Sequence, residues 1–142
     1  MTVSPALQTI GDKAFNGCES FESMQFSTNE GEKECALLSI GEEAFVGTKI
    51  SSFGGLKRSN GINIGERAFE GCKDLKAFNF EGQRNLSVAS FKDSGLSGEI
   101  NLVKVCDKLP ESVFEGCDRL EKIILSDDTS LSKKVFKNCS KL

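Results

Sequence analysis

Apolar residues along this chain fall into two alternating patterns. The first is a phrase that opens on Ile or Leu, places Phe near its middle and closes on Cys, Thr or Ser. It occupies residues 10–18, 40–48, 64–72, 86–94, 109–117 and 131–139. The second follows the phrase and spaces apolar residues as Leu-x-x-Leu-x-Leu: Phe21, Met24 and Phe26; Leu75, Phe78 and Phe80; Leu120, Ile123 and Leu125. Ile50 and Phe53 form a shortened copy with Gly55 at its last position, and Leu96, Ile100 and Leu102 a copy with one extra residue. Alternation over the last half of this pattern is the mark of a strand with one buried face.

The phrase reads as one short helical or 3₁₀ turn. Its second position holds Gly11, Gly41, Gly65, Ser87, Pro110 and Ser132, residues suited to helix entry. Asp12, Glu42, Glu66 and Glu111 follow, where a negative charge complements a helix N-terminus. Two residues after Phe stand Gly17, Gly47, Gly71, Asp93, Gly116 and Asn138. Only residues that tolerate a left-handed backbone occur there, which predicts one shared closing turn.

The phrase Phe residues lie at 15, 45, 69, 91, 114 and 136, with spacings of 30, 24, 22, 23 and 22. The period of about 23 lies in the leucine-rich-repeat range. One such unit cannot bury its apolar face alone, whereas stacked units form a continuous core. The expectation is an α/β solenoid of about six repeats in a single domain over residues 1–142. It is right-handed, with a parallel sheet of short strands on its concave face. Because the chain stops at Leu142, before the strand of its last unit, we expect a fragment of a longer array.

With its Ala-Phe-x-x-Cys core, the phrase resembles the BspA-like leucine-rich repeats, also called the Treponema-pallidum type. Both family variants occur: Cys with an apolar residue three further on, as in Cys18 and Phe21, and Thr or Ser with one two further on, as in Thr48–Ile50 and Ser94–Leu96. The resemblance covers nearly the whole chain. It implies a surface or secreted protein engaged in adhesion and host contact.

Alternate strand residues point outward. They predict a protein-binding concave strip of Ser23, Gln25, Ser52, Ala77, Asn79, Glu81, Glu99, Asn101, Lys122 and Ile124, centred on Asn79, Asn101 and Lys122. These positions vary in chemistry from unit to unit on a fixed apolar frame. The strip holds no Trp, Tyr or Arg, the favoured interface anchors. The long segment 27–39, between a strand and the next phrase, is a second place for binding. The Lys57-Arg58 pair reads as solvated.

Composition narrows the remaining classes. There are 11 Phe and no Tyr, Trp or His, and the formal net charge is −3. With no basic block, no nucleic acid is expected as partner. No apolar run is long enough for a membrane span, and residues 1–10 do not read as a signal peptide. Of six Cys, Cys18, Cys72, Cys117 and Cys139 share the slot that Thr48 and Ser94 fill in the other units. A small inward side chain explains all six occupants. A disulfide between Cys117 and Cys139 on neighbouring units is geometrically conceivable. Without His or a Cys-x-x-Cys pair, neither a metal site nor a Cys nucleophile with its base is supported. Cys35 and Cys106 fall outside the slot and read as partly exposed thiols. No cofactor and no catalytic residue is expected. The chain reads as an interaction module of a surface or secreted protein, or alternatively as an intracellular scaffold.

Overall fold

A computed structural model describes residues 1–27, 36–54, 61–80, 83, 85–103 and 105–142. Its strands are β1 (Thr2–Val3), β2 (Thr9–Ile10), β3 (Ser23–Phe26), β4 (Ser39–Ile40), β5 (Ser52–Gly54), β6 (Asn63–Ile64), β7 (Ser97–Asn101), β8 (Lys108–Leu109), β9 (Arg119–Ile124) and β10 (Ser130–Leu131). Neighbours pair in parallel: β1-β3-β5 and β7-β9 on one side, β2-β4-β6 and β8-β10 on another. An isolated parallel bridge from Asn63 to Asn85 continues the second ladder. A circuit of the chain, a rung, thus has a long-strand side, a short-strand side and a turn side, although residues 75–80 on the long-strand side form no strand.

The α part of the expected α/β class is corrected: among the described residues there is no α-helix and no 3₁₀ helix. The phrase folds as consecutive turns whose amides divide their hydrogen bonds. Ala14, Asn16 and Cys18 donate back to the carbonyls of Gly11, Lys13 and Phe15. Lys13, Phe15 and Gly17 instead donate sideways to Glu42, Ala44 and Val46 of the next rung, each at 2.8 Å. A helix would keep every such bond within one segment.

Two left-handed residues per phrase allow this alternation. The closing slot has positive φ at Gly17, Gly47, Gly71, Asp93, Gly116 and Asn138, as expected. A second slot, two residues before Phe, was not anticipated. Lys13, Glu43, Arg67, Ala89, Ser112 and Lys134 all have φ between 52 and 58° there. Each such residue costs about 1–2 kcal/mol in isolation. The sideways bonds and the packing they permit hold it in place.

Glycine in the second position has a different reason from helix entry. A Cβ on Gly65 would lie 2.6 Å from the Gly41 carbonyl carbon, and one on Gly41 would collide with the backbone of Gly11 and Asp12. The rungs simply pass too close. Nor does Asp12 complement a helix; its carboxylate accepts the Glu42 amide at 2.8 Å.

The phrase phenylalanines stack into one column. Centroids of Phe15, Phe45, Phe69 and Phe91 follow at 5.1, 5.1 and 5.2 Å, with ring planes within 10°. Phe114 and Phe136 continue it at 6.0 Å per step. Phe53, Phe78 and Phe80 set their rings across the column, as in the 86° contact of Phe53 with Phe45. Such pairs add about 0.5–1.5 kcal/mol each to the burial of the rings. The slot before Phe holds Ala14, Ala44, Ala68, Ser90, Val113 and Val135. Ser90 is fully buried there, and its hydroxyl has no hydrogen-bond partner among the described residues.

Two substitutions test this packing. Phe69→Ala removes a fully enclosed ring from the column and is expected to cost about 3–5 kcal/mol. Ser90→Ala deletes the unpartnered hydroxyl and is expected to stabilise by about 1 kcal/mol. Denaturant midpoints of the purified variants give both values. A loss at Ser90→Ala would show that the hydroxyl has a partner.

Candidate functional site

The outward positions of the longer strands lie where alternation puts them. Gln25, Ser52, Ala77, Asn79, Glu99, Asn101 and Lys122 are exposed, while Ser23 and Ile124 are half-buried. Between them Met24, Phe26, Phe80, Ile100 and Leu102 are buried. Glu81 lies outside the described residues, as do Cys35, Lys57-Arg58, Gly55 and residues 28–35 of segment 27–39.

The strip is not continuous, however. Residues 75–80 form no assigned strand, so the long-strand ladder divides into β1-β3-β5 and β7-β9. Asn79, one of the three expected centres, sits in this break. Its carbonyl accepts from the Gln83 side chain at 3.5 Å, and the other two centres are engaged as well. The Asn101 side chain accepts the Val103 amide at 3.0 Å and closes the end of β7. Lys122 pairs with Glu99 across the β7-β9 ladder at 2.9 Å. That ladder carries a register shift between Gly98 and Glu99, where Gly98 has a φ of 72°. The bulge brings Glu99 opposite Lys122, so two outward charges of opposite sign neutralise each other. Both side chains are at least half exposed, and such a pair is worth about 0–1 kcal/mol.

The cysteine slot resolves residue by residue. Cys72 and Cys117 are buried free thiols, Cys139 is half-buried and free, and Cys18 is exposed and free. The expectation that all four would be buried thus holds for two. Each inner thiol donates to the Phe carbonyl of the preceding rung: Cys72 to Phe45 at 3.3 Å, Cys117 to Phe91 at 3.1 Å and Cys139 to Phe114 at 3.1 Å. Thr48 and Ser94 approach the Cys72 and Cys117 sulfurs at 3.7 and 3.4 Å. Burial pushes the Cys72 and Cys117 thiols up to about 11, which keeps them protonated and poor nucleophiles near neutral pH. Cys106 is also free and half-buried.

The turn side carries charge that the sequence reading did not group. Glu43 takes Lys13 at 3.7 Å and Arg67 at 3.1 Å; Glu70 takes Arg67 and, at 3.0 Å, Lys92; Glu115 takes Lys137 at 3.5 Å. The charges alternate down two neighbouring slots of successive phrases. Burial pushes the Glu70 carboxyl up, but hydrogen bonds from Arg67 and Lys92 outweigh it and hold the group below the ordinary glutamate value. A period of about 23 could have revealed this by aligning the copies and reading each exposed column for sign.

A carboxylate with a depressed folded-state pKa gives stability that is present above its unfolded value. That stability is lost as pH falls through the folded value. Unfolding midpoints should therefore decline as pH drops below about 4.3, the ordinary glutamate value. Glu70→Gln should lower the midpoint at pH 7 and flatten the acid limb. An unchanged acid limb would remove Glu70 from the account.

Comparison with known proteins bears on what such a surface does. The family model described as BspA type Leucine rich repeat region matches residues 1–97 and 38–142, with six copies. No curated protein matches the chain, and no solved structure does.

Proposed function

Because the chain belongs to the BspA-type leucine-rich-repeat family, we propose that it is a non-catalytic module that binds a protein partner through its long-strand side. The observation that carries this is the contrast between the two faces of the same strands. Inward positions stay apolar, as Met24, Phe26, Ile100 and Leu102 do. Outward positions in register differ from rung to rung, as Thr2, Gln25 and Gly54 do in one ladder and Glu99 and Lys122 in the other, although Ser23 and Ser52 match. A rigid frame with freely varied exposed chemistry supports recognition rather than catalysis.

The break at residues 75–80 shapes the proposal. The strands on either side of it, β3-β5 and β7-β9, offer two short binding segments rather than one long one. Affinity from each is modest, and repetition raises it by avidity. We place the partner outside the cell, among host, matrix or surface proteins, as expected for adhesion. An intracellular scaffold is the second reading. The free thiols Cys18, Cys72, Cys106, Cys117 and Cys139 favour it, since secreted domains tend to pair their cysteines. Protease accessibility of the native protein on intact cells separates the two locations.

The binding surface is tested with any partner isolated from a host or cell extract. Gln25→Arg/Ala77→Arg places two bulky charges on exposed outward positions and should weaken binding by at least about tenfold. Replacing residues 29–34 by Gly-Ser should leave binding nearly intact. Loss only on the loop replacement, or in neither variant, would overturn the long-strand proposal.

A further inference from the structure

One step of the stack lacks a fastening that its neighbours have. Gly41, Gly65 and Ser132, at the second position of their phrases, donate their amides to the carbonyls of Ile10, Ile40 and Leu109 on the preceding rung, at 2.8, 2.8 and 3.1 Å. The fifth phrase has Pro110 at that position. Proline carries no amide hydrogen, so the Leu86 carbonyl receives no such bond. Among the described residues, no backbone hydrogen bond joins 85–88 to 108–111. One step earlier the short-strand side is still tied: Ile64 donates to Asn85 at 3.2 Å, and the Gln83 side chain accepts the Ile62 amide at 2.9 Å. One step later β8 and β10 pair, and Ser130 donates to Asp107 at 2.9 Å. The gap is thus internal to the stack and is not the fraying of an end.

The same step is held on its other two sides. On the turn side Ala89, Phe91 and Asp93 donate to Glu111, Val113 and Glu115 at 3.0, 3.1 and 2.7 Å. On the long-strand side β7 pairs with β9 along its whole length, and Leu102 donates to Ile124 at 2.8 Å. The ring column reflects the asymmetry. Phe91 and Phe114 lie 6.0 Å apart with their planes 19° from parallel, whereas the other neighbours in the column stay within 10°. Val88, Pro110 and Glu111 line an open groove at the gap, and Val88 is exposed. A rotation about the line joining the two held sides opens or closes the third, and it breaks no backbone hydrogen bond there.

We propose that the seam between residues 85–88 and 108–111 is a bending joint. The rungs on either side of it tilt against each other, with the turn side and the β7-β9 ladder as the pivot. Pro110 sets the joint, because this one residue removes the donor that fastens other steps. Closing the seam takes Val88 out of water, and no hydrogen bond locks it shut. Hinge motions of this kind run in microseconds to milliseconds. The joint does not depend on what the long-strand side binds.

The test is ¹⁵N relaxation dispersion on the chain alone, which reads motion in that range. The amides of Ser87, Val88, Leu109 and Glu111 should show exchange, and those of Gly41 and Gly65, at fastened steps, should not. Pro110→Ser restores the donor with the residue that Ser132 supplies at the same slot. The new amide at position 110 should exchange with deuterium at least about tenfold more slowly than an unprotected one, and dispersion at Val88 and Glu111 should fall by about half or more. Pro110→Gly, the residue type of Gly41 and Gly65, is the second variant and should do the same. An unchanged amide spectrum in phrases 40–48 and 64–72 verifies that each variant folds. Dispersion absent from the seam, or equal along the chain, would overturn the proposal. So would a new amide that exchanges freely in both folded variants, or seam dispersion that survives the restored donor. Failure of both variants to fold would make Pro110 a packing residue and overturn its role as well.

Discussion

Stacking of one aromatic ring on the next, rung after rung, is the constraint on which the rest of this molecule depends. Phe15, Phe45, Phe69 and Phe91 repeat within about a tenth of an ångström of the same separation, close to the spacing of hydrogen-bonded strands. Each ring is bulky and apolar, and only its neighbours above and below can enclose it. Every rung must then return its Phe to the same place, and the backbone around it has little freedom. The left-handed residues at Lys13, Glu43 and Arg67 are the local conformational cost of meeting that requirement.

The small residues follow from the same geometry. Rungs held at ring-stacking distance bring the backbones of Gly41 and Gly65 into near contact, which excludes a side chain. They also bring the next rung's cysteine sulfur to the carbonyls of Phe45, Phe91 and Phe114. Sulfur is large enough to reach such a carbonyl and apolar enough to be buried beside the rings. Cys72 and Cys117 are thus packing residues with a hydrogen bond.

Much of this was legible in the chain itself. Phenylalanine spacing defined the repeat, and the restricted choice at Gly17, Gly47, Gly71, Asp93, Gly116 and Asn138 announced a left-handed turn. The second left-handed slot left no such trace. Lys13, Glu43, Arg67 and Ala89 have nothing in common that a reader would connect with positive φ, because inter-rung bonds impose the conformation rather than the side chain. The helical reading failed for the same reason: turn-forming residues describe local preference, and the amides' partners lie about 23 residues away. Short strands such as β2 and β4, with only two residues each, are too brief for alternation to show. The outward strip could be named by alternation, but its break at residues 75–80 and the Glu99–Lys122 pair depend on register between rungs.

The sideways amide bonds have an electrical consequence. Phe15 donates to Ala44, Phe45 to Ala68, Phe69 to Ser90, Phe91 to Val113 and Phe114 to Val135. Acceptor carbonyl and next donor amide belong to the same peptide group in each case. The bonds therefore join into an unbroken file of peptide units, all pointing the same way. Lys13, Glu43, Arg67, Ala89 and Ser112 begin the bonds of a second, parallel file. Aligned peptide groups of about 3.5 D add head to tail in a helix, and aligned hydrogen bonds polarise one another. The turn side of this solenoid reproduces that arrangement without containing a helix. Its polar axis runs along the stack, with carbonyl oxygen toward the first rung and amide hydrogen toward the last.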